Sequence, residues 1–390
     1  MTSDNLRAAL VAYGAAFAHG LAVVSYPASA SVLKAHALSD AAYGAIFLPQ
    51  MAGTLLGSLL GGRSGASHGR MLALSLMAAA FAEALLYFAP QAGAPIAFLG
   101  TSALGLGFGL AAAPLNGLPG RLFPARAESA LVLLHSLLAC GFALGPIATS
   151  YAIEVERWAT LPIGVGVCAA LLALASSFAI PHGAEAKEAA TTPASPAAAD
   201  VRIIFMVVVA LYAIAEGTFA NWAVVYLHEE RGIAEAPAAL ALSMFWFALT
   251  LGRLTVSALL RTFAAEMIWC ALPIAMLAVF LALPLVTTPK LGIAAFALAG
   301  VACSAFFPLS VSLAAPYFEG GAARASAVLT AALMIGVGIG SFVIGPLRSA
   351  LSISTLYRIS ALYPLVAFAL CAHLQRRLAI RRPSHEHADC

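Results

Sequence analysis

Apolar runs of roughly 20 residues recur along the whole chain, each closed by a short cluster of charged residues, Pro or Gly. A helix rises about 1.5 Å per residue, so such a run crosses the ~30 Å hydrocarbon core of a bilayer. The spacing predicts twelve membrane helices, at roughly 8–33, 42–62, 70–89, 94–120, 127–152, 158–180, 202–227, 237–259, 265–286, 290–315, 324–348 and 355–378. Barrel strands would be about half as long and would alternate apolar with polar positions. Between the sixth and seventh runs stands HGAEAKEAATTPASPAAAD, residues 182–200, the one long polar segment rich in Pro and Ala. It reads as a flexible cytoplasmic linker between six-helix halves at 1–181 and 201–390, the second ending in a short basic tail.

Composition agrees, with 62% hydrophobic and 9% charged residues in a chain of 390. A soluble protein of this size does not show that balance. Charge matters through its distribution. With a cytoplasmic N-terminus, fourteen Lys and Arg residues fall at inner helix ends and six at outer ends, so both termini and the linker are expected inside. No basic run points to nucleic acid. The six cysteines show no CxxC spacing and five lie in apolar runs, which argues against a disulfide framework or a metal site. The start, MTSDNLR, lacks the basic region and cleavage site of a removable signal, so the first run is expected to remain as a helix.

The halves echo each other. Ala18-His19-Gly20 in the first helix matches Ala215-Glu216-Gly217 in the seventh, and Pro114-Leu115-Asn116 in the fourth matches Pro308-Leu309-Ser310 in the tenth. The fifth and eleventh begin at Arg126-Ala127 and Arg324-Ala325 and run to Gly145-Pro146 and Gly345-Pro346. Their common order points to an internal duplication, the repeat signal of many transporters.

Twelve helices split six and six around a linker resemble the major facilitator superfamily. Gly141-Phe-Ala-Leu-Gly145-Pro146 resembles its GxxxGP motif, in which small residues admit close helix approach. The loop from Gly57 to Arg70, with Arg63, resembles its inner-loop motif but carries Gly61 where an acidic residue is usual. Within the superfamily the likeness is to fucose-permease-like sugar symporters and their bacterial relatives. It rests on Glu216-Gly217 with Asn221-Trp222 and Val225-Tyr226-Leu227, on Leu251-Gly252-Arg253, on Asn116, and on Leu134-His135. The resemblance implies an all-α membrane protein of two pseudo-symmetric six-helix bundles that acts as a single chain. His19 and Asn116 replace the acidic residues that the fucose permease is thought to use in its first and fourth helices, so neither sugar specificity nor the coupling site carries over.

Two carboxylates lie near mid-membrane, Glu216 and Glu83. Inserting one costs at least about 2.5 kcal/mol, so each is expected to face protein or water. Protonation removes the charge that the bilayer penalises, which suits Glu216 to proton coupling; otherwise it bonds a neighbouring helix. His19, whose imidazole titrates near neutral pH, is a second coupling candidate and Glu83 a third. His19 is expected to face Glu216 across a central cavity, with Tyr26 two turns on along the same face. Polar candidates for binding a substrate are Gln50, Thr54, Asn116, His135 and Asn221, and Asn116 and His135 equally suit a structural pair. Tyr26, Trp222, Trp246, Phe306 and Phe307 offer aromatic faces for a sugar or simply pack helices together. Arg253 and Arg261 are expected to anchor the inner loop, Arg253 also as a gate contact, and Gly252 lies beside it.

No GxSxG, HExxH or Walker-type glycine loop occurs, so nothing supports an enzyme, and no cofactor or metal is expected. The expected function is secondary transport across the inner membrane, as proton-coupled symport of a sugar or similar polar solute. Proton-driven efflux of an amphipathic compound remains open, as does a non-transporting sensor or assembly partner.

Overall fold

The computed structural model describes residues 3–36, 38–63, 67–180, 199–319 and 321–380. Twelve spans of membrane-crossing length and composition run through them. The first six are α1 (Asn5–Ala28), α2 (Asp40–Gly61), α3 (His68–Ala92), α4 (Ala94–Leu122), α5 (Ser129–Glu154) and α6 (Thr160–Ala179). The second six are α7 (Ala199–Glu230), α8 (Glu235–Leu259), α9 (Ala265–Leu285), α10 (Pro289–Tyr317), α11 (Arg324–Leu347) and α12 (Ile353–Arg377). An even number of crossings places both ends of the described chain on one side, called here the termini side. The opposite face is the far side.

Packing repeats with a shift of six. In the first bundle α1 packs on α5, α2 on α4 and α3 on α6; in the second α7 packs on α11, α8 on α10 and α9 on α12. Between bundles α5 lies on α8, and its counterpart α11 lies on α2. Lipid tails give helices no hydrophobic reason to associate, so close contact of small residues carries the assembly. A Cβ on Gly20 of α1 would collide with the Leu138 carbonyl and stand 3.0 Å from the Gly141 Cα of α5. Gly141 and Gly145 of the GxxxGP motif thus give α1 its seat, and Pro146 is buried beside them. Gly57 does the same for α2 against Gly109 of α4.

Three boundaries differ from the sequence reading. Ala199 and Asp200, read as linker, form the first turn of α7, where Asp200 accepts from the Val201 amide at 2.8 Å and pairs with Arg377 of α12. Linker residues 182–198 and the Arg63 side chain lie outside the described residues. The first run ends at Ala28, and a separate short helix, Ala30–His36, follows. The tenth run breaks between Cys303 and Phe306. Pro308 has no N–H to give the carbonyl four residues earlier, that of Ser304. Arg253 Nε bonds that carbonyl instead, at 3.0 Å, and the Tyr212 hydroxyl takes the Cys303 carbonyl at 3.0 Å. The repeat-related Pro114 leaves α4 unbroken.

Candidate functional site

On the far side the two bundles are bonded together. Lys34, from the short helix after α1, reaches Asp40 of α2 and Glu229 of α7, each at 2.5 Å. Arg348, at the end of α11, spans Asp40 at 3.2 Å and Glu229 and Glu230 at 3.3 Å. Glu230 also accepts from the Ser354 amide at 2.8 Å, and Ser31 donates to Glu235 at 2.9 Å. These side chains keep between 10% and 30% of their surface, so water screens the network only partly. Below it, the Tyr43 hydroxyl of α2 donates to the Asn221 carbonyl of α7 at 2.8 Å, and its ring meets Trp222 edge-on at 5.1 Å. Gly44 and Gly345 bring α2 and α11 into backbone contact, since a Cβ on Gly44 would lie 2.9 Å from the Phe342 carbonyl and 3.1 Å from the Gly345 Cα. Pro346 follows, exposed.

Toward the termini side the same interface carries a different set. Glu216 sits in the middle of α7 and is half-buried. Beside it are the Tyr212 hydroxyl and, within Coulombic reach, the Arg253 guanidinium of α8. Across the interface His135 of α5 lies within Coulombic reach of the same guanidinium. His135 Nε2 is 3.1 Å from Asn116 Oδ1, and Asn116 Nδ2 donates to the Ala112 carbonyl at 2.7 Å. Asn116, His135 and Arg253 are all exposed. Trp246 of α8 packs on Phe142 of α5 with ring centroids 4.8 Å apart, and its buried indole Nε1 has no partner. An unpaired donor at the seam between bundles is what a solute with an acceptor oxygen or nitrogen would satisfy.

Other candidates are spent within their bundles. His19 is fully buried, with Nε2 3.1 Å from Ser75 of α3 and its ring edge toward Phe108 of α4. These contacts turn it into the first bundle rather than toward Glu216. Tyr26 donates to the Ala82 carbonyl at 3.0 Å, and Glu83 Oε1 of α3 lies 2.7 Å from Ser25 Oγ. Phe306 is sealed between Tyr212 and Trp269, with centroids at 5.0 and 5.7 Å, while Phe307 is half-buried. Trp222 donates to the Ser341 carbonyl at 2.8 Å and Asn221 to the Ser341 hydroxyl at 2.6 Å. Thr54 bonds back to the carbonyl of Gln50 at 2.9 Å. Gly252 packs on Ser304 at the α10 break, and Arg70 is exposed at the start of α3.

Sequence reasoning passed over the far-side network. Lys34 and Arg348 entered it only as charges to be counted for orientation, yet both lie where a span ends and an acidic partner from the other half ends too.

No model of a known protein family matches the sequence, and no curated protein does. Solved structures do match. The nucleoside transporter NupG is 17% identical, covering 96% of this chain and 100% of its own, with a TM-score of 0.73; a point mutant of it reaches 0.76 at 15% identity. A bacterial homolog of the human lysosomal transporter Spinster, in an inward-facing and unoccupied conformation, is 14% identical over 97% of both chains, with a TM-score of 0.71. This is the major facilitator fold. Its two bundles and twelve helices account for the whole described chain as a multi-pass membrane protein. Within the major facilitator fold the Glu216 cluster occupies the face that the second bundle turns to the first, whereas His19 and Glu83 lie inside the first bundle.

Proposed function

We propose that the chain is a secondary transporter that moves a small polar solute across the inner membrane by alternating access, with protons as the coupling ion. One observation carries this reading. A half-buried acid at mid-membrane borders an interface that is sealed on one side by ion pairs and lined on the other by exposed Asn116, His135 and Arg253. Two bundles rocking about such a midplane site is the general form of alternating access. The charge count supports a cytoplasmic termini side, and the site would then open inward.

The solute class follows from the lining. Arg253 and Glu216 supply a charged pair, Asn116 and His135 neutral hydrogen-bonding groups, and the Trp246 indole a free donor beside an aromatic stack. A sugar fits these groups, and a nucleoside, the substrate of the NupG neighbour, uses the aromatic wall as well. Protonating Glu216 would cancel its attraction to Arg253 and free that side chain from the midplane, which links proton binding to rearrangement of the α8–α10 contact. The test is flux in proteoliposomes challenged with labelled nucleosides and hexoses while internal pH is followed. The expected result is solute-driven proton movement that Glu216→Gln abolishes. Proton movement that survives Glu216→Gln would remove Glu216 from the coupling role. Extrusion of amphipathic dyes with no uptake of either polar class would favour efflux, and flux of no solute would favour a sensor.

A further inference from the structure

Glu83 sits in a polar pocket that the central interface does not use. The pocket lies inside the first bundle, toward the far side, where Ser25 near the end of α1, Ser29 just beyond it, Glu83 of α3, Thr149 late in α5 and Pro162 early in α6 converge. Glu83 is fully buried. Its Oε1 is 2.7 Å from Ser25 Oγ, and its buried Oε2 has no partner.

Counting protons narrows what this arrangement holds. Ser25 Oγ is 2.7 Å from the Ala22 carbonyl and 2.7 Å from Glu83 Oε1, yet a hydroxyl has one proton to give. Both contacts are satisfied together if Ser25 donates to Ala22 and a protonated Glu83 donates to Ser25. The surroundings offer no countercharge. Facing Glu83 are Ser25, Ser29 and Tyr26 from α1 and the turn after it, Thr149 from α5 and apolar residues from α6. Two turns down α3, Ser75 lies 3.1 Å from His19 Nε2. The Tyr26 hydroxyl is committed to the Ala82 carbonyl and Thr149 to the Gly145 carbonyl, while Ser29 accepts from the Trp158 indole at 2.9 Å. Among the described residues, no cation reaches the carboxyl, in contrast to Glu216 with Arg253.

We propose that Glu83 and Ser25 form a second proton-binding site, inside the first bundle, that exchanges with the far side through this pocket rather than through the interface between bundles. On release, the Oε1–H bond breaks and its proton passes to pocket water and out. The Ser25 hydroxyl then turns its own proton from the Ala22 carbonyl to Oε1, so the carboxylate keeps one donor. Uptake reverses both movements. The site is distinct from the Glu216 cluster and is read without any transported solute.

Infrared difference spectroscopy on the full-length protein in lipid nanodiscs tests this. A protonated carboxyl gives a C=O band that shifts in D₂O if the proton exchanges, and that gives way to carboxylate bands as pH rises if the group titrates. The expected result is a D₂O-sensitive, titrating band that Glu83→Gln removes and Glu216→Gln leaves. Filling the pocket with Val165→Phe should slow its exchange, with the band itself retained as the sign of a folded protein. A band that survives Glu83→Gln, one that neither shifts nor titrates, or exchange unchanged by Val165→Phe would overturn the proposal.

Discussion

Where the bundles meet on the far side, Lys34 and Asp40 of the first face Glu229, Glu230 and Arg348 of the second, over a seam of Gly44, Gly345, Tyr43 and Trp222. Where they meet toward the termini side, His135, bonded to Asn116, faces Arg253, and the aromatic pair Phe142 and Trp246 packs along the α5–α8 edge. The far side joins opposite charges and matched backbones. Toward the termini side, the groups across the interface are polar and exposed, and the nearest acid, Glu216, lies on the same bundle as the cation. The interface is therefore bonded across at one end and lined by exposed polar groups at the other; under the proposed transport cycle, a solute that bridges His135 and Arg253 would draw the second end together.

Removing Arg348 should break this contrast most. It binds three carboxylates from both bundles in a partly desolvated place. Isolated surface pairs are worth about 0–1 kcal/mol, and truncating a buried one costs about 3–5. Arg348→Ala should fall between, at about 2–3 kcal/mol, enough to shift the balance between far-side closed and open forms by roughly 30- to 160-fold. Labelling of a Tyr43→Cys thiol by an aqueous reagent reads that shift, and Arg348→Lys should lie between the two. Unchanged labelling would mean that the network is decoration on a seam held by packing.

Gly345→Val asks the converse question. Its side chain would overlap the Asp40 carbonyl region and the Gly44 backbone, so α2 and α11 must separate. Overpacking of this kind costs about 1–3 kcal/mol. The far side should open with the ion-pair residues intact, and a lowered Tm with no gain in labelling would instead mark a general packing defect. The smallest effect is expected at Trp246→Phe, which keeps the stack on Phe142 and deletes the free indole donor. A neutral hydrogen bond is worth about 1 kcal/mol, so solute affinity should fall by roughly fivefold while the far-side labelling stays as in the parent.

Much of this frame is readable from the chain. Helix number and the glycines of the GxxxGP motif follow from run length and residue size, which act locally. Asn116 and His135 were readable as a pair because they sit on consecutive helices near the same surface. What escaped depends on long-range approach. Asp40 and Arg348 are 308 residues apart, and nothing local in either says which acid or base it will meet. The role of Arg253 was half-legible, since Pro308 announces a freed carbonyl four residues back but not the side chain that will fill it. His19 misled because sequence alignment of the repeats fixes its depth in the membrane and not the face it turns. One residue of rotation on α1, about 100°, separates a cavity lining from the Ser75 contact it makes.

The central claim is that the far and termini sides open in alternation. Spin labels at His36 and Ser349 report the far side, and labels at Arg126 and Arg324 the termini side, each pair crossing from one bundle to the other. Distance distributions from both pairs, recorded by double electron–electron resonance in the parent and in Arg348→Ala, test the claim directly. The account predicts that Arg348→Ala lengthens the His36–Ser349 distance and shortens the Arg126–Arg324 distance together. A far side that opens while the termini-side distance stays fixed, or two distances that lengthen at once, would contradict it.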